Sequence, residues 1–144
     1  MKIANLVLEG KEIRRMGDIL YNQQDVSYQG IPHIYSTGDV TILMREKYYM
    51  RISSTLMTVI ILKFIDDNKV EIEIVISGGK EGLLMLSWGA EKSENVEIVY
   101  EIKNICSDNS WDITSMVPEN LLESVVETTI NKIKEKVVNP FKKS

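Results

Sequence analysis

Residues 54–103 decide the fold, and they read STLMTVIILKFIDDNKVEIEIVISGGKEGLLMLSWGAEKSENVEIVYEIK. Almost every residue of this stretch suits a β-strand, and turn residues interrupt it at short intervals. Its clearest strand is predicted over 70–77, where valine and isoleucine alternate with glutamate. The turn residues Asp66-Asp67-Asn68 join it to another predicted strand over 56–65. The stretch therefore predicts an antiparallel meander.

More strands are predicted on both sides of these two. Strand-like patterns predict them over 3–8, 40–44, 48–53, 83–88 and 96–103. Glu46 and Lys47 are predicted as a turn, and 23–39 and 107–115 as polar loops. Residues 78–82 are predicted as a hairpin loop. The sheet is therefore expected to hold about five or six strands.

Two amphipathic helices are predicted from the apolar spacing. Over 11–22, apolar residues recur at helical intervals and charged residues take the other side. A second helix is predicted over 118–138, starting at Pro118. Its apolar stripe comprises Leu122, Val125, Thr129, Ile130, Ile133 and Val137. The expected fold is α+β: an antiparallel β-meander packed by an N-terminal helix and a long C-terminal helix, forming a single domain over 1–144.

The composition argues against several classes of protein. A net charge of −4 is unfavourable for non-specific binding to nucleic acid, which requires a basic surface. The longest apolar run, Val59–Leu62, is far shorter than the roughly 20 residues that span a bilayer. The chain has one cysteine and no internal disulfide, which favours a reducing compartment. We therefore expect a cytoplasmic protein with no nucleic-acid partner and no membrane span.

The predicted order of elements resembles the helix-grip layout of START-like ligand-binding domains. The order is a strand, a helix, several meander strands and a long final helix, and it covers most of the chain. In those domains the curved sheet wraps the last helix, and a cavity can open between them. The resemblance implies a small apolar ligand held between the sheet and the C-terminal helix.

A short stretch also resembles a group of small proteins from Gram-positive bacteria that have no assigned function. It comprises Ser77-Gly78-Gly79, the apolar run 83–86 and Trp88-Gly89-Ala90-Glu91. The group shows a Gly-Gly turn, a hydrophobic strand and a Gly-(Ala/Glu)-Glu element. The resemblance implies a bacterial origin and one structured corner, but no activity. The ligand-binding residues expected there are Gly78, Gly79, Gly82, Trp88 and Glu91.

The glycine-rich turn at 78–82 has two interpretations. A phosphate-binding loop needs backbone amides aimed at the anion, usually with a helix behind them. The residues after Gly82 predict a strand instead, and no Gly-Lys-Ser/Thr sequence closes the motif. The favoured interpretation is a hairpin loop that needs glycine for positive φ angles.

His33 and Cys106 are each the only residue of their type in the chain. His33 lies in a predicted loop, and catalysis by a lone imidazole would need a nucleophile or a carboxylate brought to it by the fold. Cys106 follows Ile105 and precedes Asp108, so the pattern predicts a buried, unreactive thiol. Both residues are expected to be structural.

The segment after Cys106 has the residue spacing of a calcium loop. The positions that match are Asp108, Ser110, Asp112 and Glu119. The sixth loop position requires glycine for a sharp turn, and it is Ile113 here. A polar connecting loop is the favoured interpretation, and no metal or cofactor is expected.

Basic and aromatic residues alternate along the strand predicted over 48–53 and the residues before it. Alternation places one set on a common face: Arg45, Lys47, Tyr49 and Arg51. Such a strand can stack bases and bind phosphates. The chain is acidic, so a solvated strand face opposite Tyr48, Met50 and Ile52 is favoured instead.

Two functional hypotheses remain from the sequence. The first is a non-enzymatic module that binds a small or hydrophobic ligand, with Met50, Met57 and Met85 as adaptable interior residues. The alternative is a homo-oligomeric or protein-interaction subunit that uses an apolar sheet face, because Val59–Leu62 is apolar on both sides. An enzyme is the least favoured, since no catalytic pair is visible in the sequence.

Overall fold

A computed structural model describes residues 1–23, 28–49, 54–78 and 84–119. These residues form an α+β fold, an open six-stranded antiparallel sheet with two α-helices. The strands are β1 (Lys2–Glu9), β2 (Tyr28–Thr37), β3 (Val40–Tyr49), β4 (Ser54–Asp66), β5 (Lys69–Gly78) and β6 (Asp112–Val117). The helices are α1 (Met16–Asn22), which follows a 3-10 turn at Ile13–Arg15, and α2 (Leu84–Asn109). The predicted α+β class and antiparallel sheet are confirmed.

The sheet has the strand order β2-β3-β4-β5-β1-β6. Strands β2 to β5 form a meander, and β1 inserts between β5 and β6, so β1 is an interior strand. The turn between β4 and β5 is the predicted one. There the backbone N–H of Asn68 donates a hydrogen bond to Asp66 Oδ1 at 2.7 Å, the local bond that favours Asp in turns.

The two faces of the sheet differ in what covers them. The inner face packs against α1 and α2, and its buried residues include Leu6, Leu43, Ile60, Leu62, Ile72 and Ile74. Met16 and Leu20 of α1 and Ile98 and Ile102 of α2 belong to the same core. The opposite side of the sheet, called the outer face below, carries the alternate residues of each strand. Among the described residues, no helix packs on it.

The main correction to the sequence prediction is α2. Its 26 residues replace the strands predicted over 83–88 and 96–103. Among residues 97–109 of α2, the buried ones are Ile98, Val99, Ile102, Ile105 and Cys106, which recur at helical intervals. In the strand predicted over 96–103, Tyr100 would share the core face with Ile98 and Ile102, yet it is 40% exposed. The segment is rich in β-branched residues, but packing on the sheet overrides that weak intrinsic preference.

Three segments that are predicted as turns or loops contain strand residues. Residues 28–37 form β2 instead of a loop, and Pro32 is tolerated there because β2 is an edge strand. The predicted turn at Glu46 and Lys47 lies inside β3. The segment predicted as a loop over 107–115 contains the end of α2 and the start of β6. Edge strands are protected by charged residues and proline, so the sequences of β2 and β6 look like loops.

Several predictions fall on residues that the structure does not describe. The predicted C-terminal helix over 118–138 is one: Pro118 and Glu119 form a bend and a turn after β6, and the rest lies outside the described residues. Met50, Arg51 and Ile52 also lie outside them, as do Gly79 and Gly82.

Candidate functional site

A cluster of charged residues lies between β3 and α2 on the inner face. The guanidinium of Arg45 is buried and donates two hydrogen bonds of 3.2 Å to Glu101, one to each carboxylate oxygen. The ammonium of Lys47 donates to Glu97 Oε2. Both carboxylates come from α2. The segment predicted as a strand over 96–103 is therefore the helix that pairs with the basic residues of β3.

The spacing of the two ion pairs matches strand and helix geometry. Arg45 and Lys47 are two residues apart on β3, a rise of about 7 Å, and Glu97 and Glu101 are one helical turn apart, about 6 Å. Thr58, the cross-strand neighbour of Arg45, is 1% exposed, and its hydroxyl has no hydrogen-bond partner among the described residues. The pairs fix the position of α2 along β3.

This cluster corrects the interpretation of the basic strand. The sequence correctly places Arg45 and Lys47 on one face, but it favours a solvated face with Tyr48 on the core side. In the structure Arg45 is 2% exposed and Tyr48 is 43% exposed. The basic residues of this strand suggest a face exposed to water. That face is buried because α2, a segment predicted as strand, supplies acidic partners. The charges of Arg45 and Lys47 are matched by carboxylates, so the cluster serves as a clamp.

The glycine corner is only partly described. Gly78 ends β5 with a φ of +122°, as predicted, and a Cβ there would lie 2.8 Å from the carbonyl oxygen of Thr55. The chain continues into a helix that begins at Leu84, so the predicted hairpin is wrong. Trp88 and Glu91 lie in α2 and not on a strand and loop.

A groove of about 730 Å³ runs between the C-terminal half of α2 and β6. Its lining includes Lys103, Cys106 and Ser107 on the helix side and Trp111, Met116 and Val117 on the strand side. The indole of Trp111 is held by a 2.6 Å hydrogen bond to the carbonyl of Lys11. The groove has both polar and apolar walls.

Cys106 is 3% exposed and lines this groove, which confirms the predicted buried thiol. Burial raises the pKa of Cys106 to about 11, and the negative charge of Asp112 adds to the shift. The thiol is therefore protonated and a poor nucleophile at neutral pH.

The residues with calcium-loop spacing are divided between two elements. Asp108 lies in the last turn of α2, and Asp112 begins β6. Within the described residues, no three His, Cys, Asp or Glu side chains are placed to bind a metal ion. His33 lies on β2 and not in a loop, and its side chain is exposed.

The outer face of the sheet carries a continuous apolar surface, called the apolar row. It consists of directly paired residues on four neighbouring strands: Ile3 on β1, Val75 on β5, Val59 on β4 and Met44 on β3. Ile3 is 45% exposed, and the other three are half-buried by their neighbours. The prediction that Val59–Leu62 is apolar on both faces is confirmed, since Ile60 and Leu62 point into the core.

More apolar residues extend the apolar row in both strand directions. Ile42, Ile61, Tyr35, Tyr48 and Met57 lie on the same face. Met57 is 41% exposed, which corrects its predicted place in the interior. The rim is charged and mostly acidic, with Glu46, Glu71 and Glu73 against Lys63. An apolar centre with a polar rim is the usual anatomy of a protein interface.

No protein-family model matches the chain, and no curated protein matches it. Of the helices in the described ranges, none combines the length and apolar character needed to cross a bilayer. The assignment of function therefore rests on the geometry of the two faces.

Proposed function

We propose that the protein is an interaction subunit that packs the outer face of its sheet against an apolar protein surface. The observation that carries the proposal is the apolar row, which spans four strands in register. Antiparallel sheets commonly leave one face to solvent, but that face is then polar. Here the centre of the face is apolar, and such patches mark interaction surfaces.

The outer face is large enough for this role. Six strands spaced about 4.8 Å apart are roughly 24 Å wide, and nine residues along β4 are roughly 30 Å long. The resulting flat area is on the order of 700 Å². It is close to the roughly 800 Å² of surface that each partner buries in a standard interface.

The test compares two lysine substitutions on adjacent strands. Val59→Lys places a charge in the centre of the apolar row, and Glu73→Lys places the same side chain on the rim. We expect Val59→Lys to lower the melting temperature or the molar mass of the full-length protein well below the values of Glu73→Lys. Melting curves and light scattering at several concentrations measure both. Equal melting and equal mass for the two variants would remove the basis of the proposal.

A second candidate is the small-ligand module, and the groove beside α2 favours it. Its volume of about 730 Å³ is that of a ligand site. The pairing of β1 with the last meander strand and the long helix on the inner face support the proposed helix-grip layout.

Lauric acid is a suitable probe of the groove. In a Trp88→Phe background, the fluorescence of Trp111 should change in a saturable way, and Met116→Lys should abolish the change. An unsaturated, linear response in both proteins would count against a ligand site.

A further inference from the structure

We infer that the apolar row is covered by the chain's own C-terminal segment, residues 120–144. The inference rests on the proposed function, because it names the protein surface that the outer face binds. Three observations support it: where the described chain ends, the apolar pattern of the segment and its charge.

The described part of the chain ends at the β6 edge of the sheet, on the outer face. β6 ends at Val117, which pairs with Asn5 of β1 and is 55% exposed. Asn5 pairs in turn with Glu73 of β5, and Glu73 with Ile61 of β4. Val117 therefore lies on the outer face beside the apolar row, and the segment starts three residues later.

The length of the apolar stripe matches the length of the apolar row. From Leu122 to Ile133, a helix rises about 16 Å. From Ile3 to Met44, the row crosses three strand spacings, about 14 Å. A helix that starts near β1 would place Thr129 opposite Val59. Its apolar face would then lie along the row and its polar face in water.

The charges are complementary. The segment 120–144 carries five lysines and three glutamates, whereas residues 1–119 carry 18 acidic and 12 basic residues. The lysines at 132, 134 and 136 lie in the C-terminal half of the stripe, which this placement brings over β3, where Glu46 belongs to the acidic rim of the outer face. Two copies of the face packed together would bring like charges into contact, which is unfavourable. The basic segment is the better occupant.

Disulfide cross-linking in the full-length chain tests the inference. The test pair is Val59→Cys with Thr129→Cys, and the matched control is Val59→Cys with Glu127→Cys. Positions 127 and 129 are about 200° apart around a helix, so only one of them can face the sheet. The native Cys106 is 3% exposed and serves as an internal unreactive thiol.

On mild oxidation we expect the 59–129 pair to close within one chain at least tenfold faster than the 59–127 pair. Peptide mapping identifies the bond, and gel mobility shows whether it joins one chain or two. Equal melting temperatures of the reduced proteins establish that both variants fold. A second pair, Val75→Cys with Val125→Cys, gives the same reading if the first destabilises the protein.

The other outcomes overturn the inference in distinguishable ways. Equal rates for the two pairs mean that the segment does not lie on the apolar row. Dimers joined through position 59 mean that a second copy covers the face. Either result can come with the expected loss of stability or molar mass in Val59→Lys. In that case the proposed function stands, and only the assignment of residues 120–144 to the apolar row is wrong. If Val59→Lys is also harmless, both fail.

Discussion

Arg45 is a charged side chain in a position where an apolar one would ordinarily lie. It is on the inner face of β3, only 2% exposed, and a buried charge is tolerated only with a partner. Glu101 supplies that partner through two hydrogen bonds. Breaking such a pair costs more than the pair itself contributes, because it leaves one charge buried and uncompensated.

We predict that Glu101→Gln lowers the free energy of unfolding by about 1–3 kcal/mol, since the amide cannot balance the buried guanidinium. The matched control is Glu97→Gln. Glu97 is 52% exposed, so its pair with Lys47 is screened by water and its loss should cost less than about 1 kcal/mol. Urea unfolding of both variants provides the comparison. If both variants lost the same free energy of unfolding, the Arg45–Glu101 pair would be no more buried than the Lys47–Glu97 pair.

Cys106 predicts a specific dependence on pH. Its pKa is raised from 9.0 to about 11 in the folded protein, so at pH 9 roughly a hundredth of the thiol is ionised, against half in the unfolded chain. Alkylation by iodoacetamide at pH 9 should therefore be slow until urea is added. Between pH 9 and 11 the unfolded chain releases a proton that the folded chain keeps. The free energy of unfolding should fall across that window by more than it falls in Cys106→Ala.

At the scale of elements, α2 is the helix that the sequence wrongly predicts as strands. A strand over 96–103 would bury Tyr100 and expose Val99, whereas α2 buries Val99 and leaves Tyr100 at 40% exposure. The two structures therefore predict opposite results for neighbouring substitutions. This pair of residues is the most direct test of the element.

We predict that Val99→Asp unfolds the protein, because an unpaired buried charge costs several kcal/mol out of a total stability of about 5–15 kcal/mol. Tyr100→Asp should cost no more than about 2 kcal/mol, since half of its surroundings are water. Thermal melting followed by circular dichroism compares them. A more harmful Tyr100→Asp would mean that the segment is a strand.

The sequence predicts β5 well because it has a period of two, and β4 because it is a run of β-branched and apolar residues; the turn residues between them have a clear local preference. It fails for β2 and β6, the two edge strands, because their polar residues and Pro32 look like loops. The clamp of Arg45 and Glu101 joins residues 56 positions apart, so no local pattern contains it. The apolar outer face is the one site-level feature that could be predicted, from Val59–Leu62.

For the whole molecule, α1 and α2 cover the inner face of the sheet, and among the described residues no helix covers the outer face. The cytoplasmic location, the bacterial origin and the helix-grip layout stay predictions, and none of them decides how the outer face is used. We propose that an amphipathic segment with basic residues is the partner of that face. Any external partner would then compete with residues 120–144 for the apolar row.

The most direct test is solvent relaxation of isoleucine methyl groups by a soluble gadolinium chelate in the full-length protein. Ile3 and Ile65 are 45% and 44% exposed, but only Ile3 belongs to the apolar row. Buried Ile60 and Ile31, which is 81% exposed, set the limits of the scale. We predict that Ile3 is shielded almost as well as Ile60, while Ile65 approaches Ile31. Equal relaxation of Ile3 and Ile65 would contradict a covered apolar row.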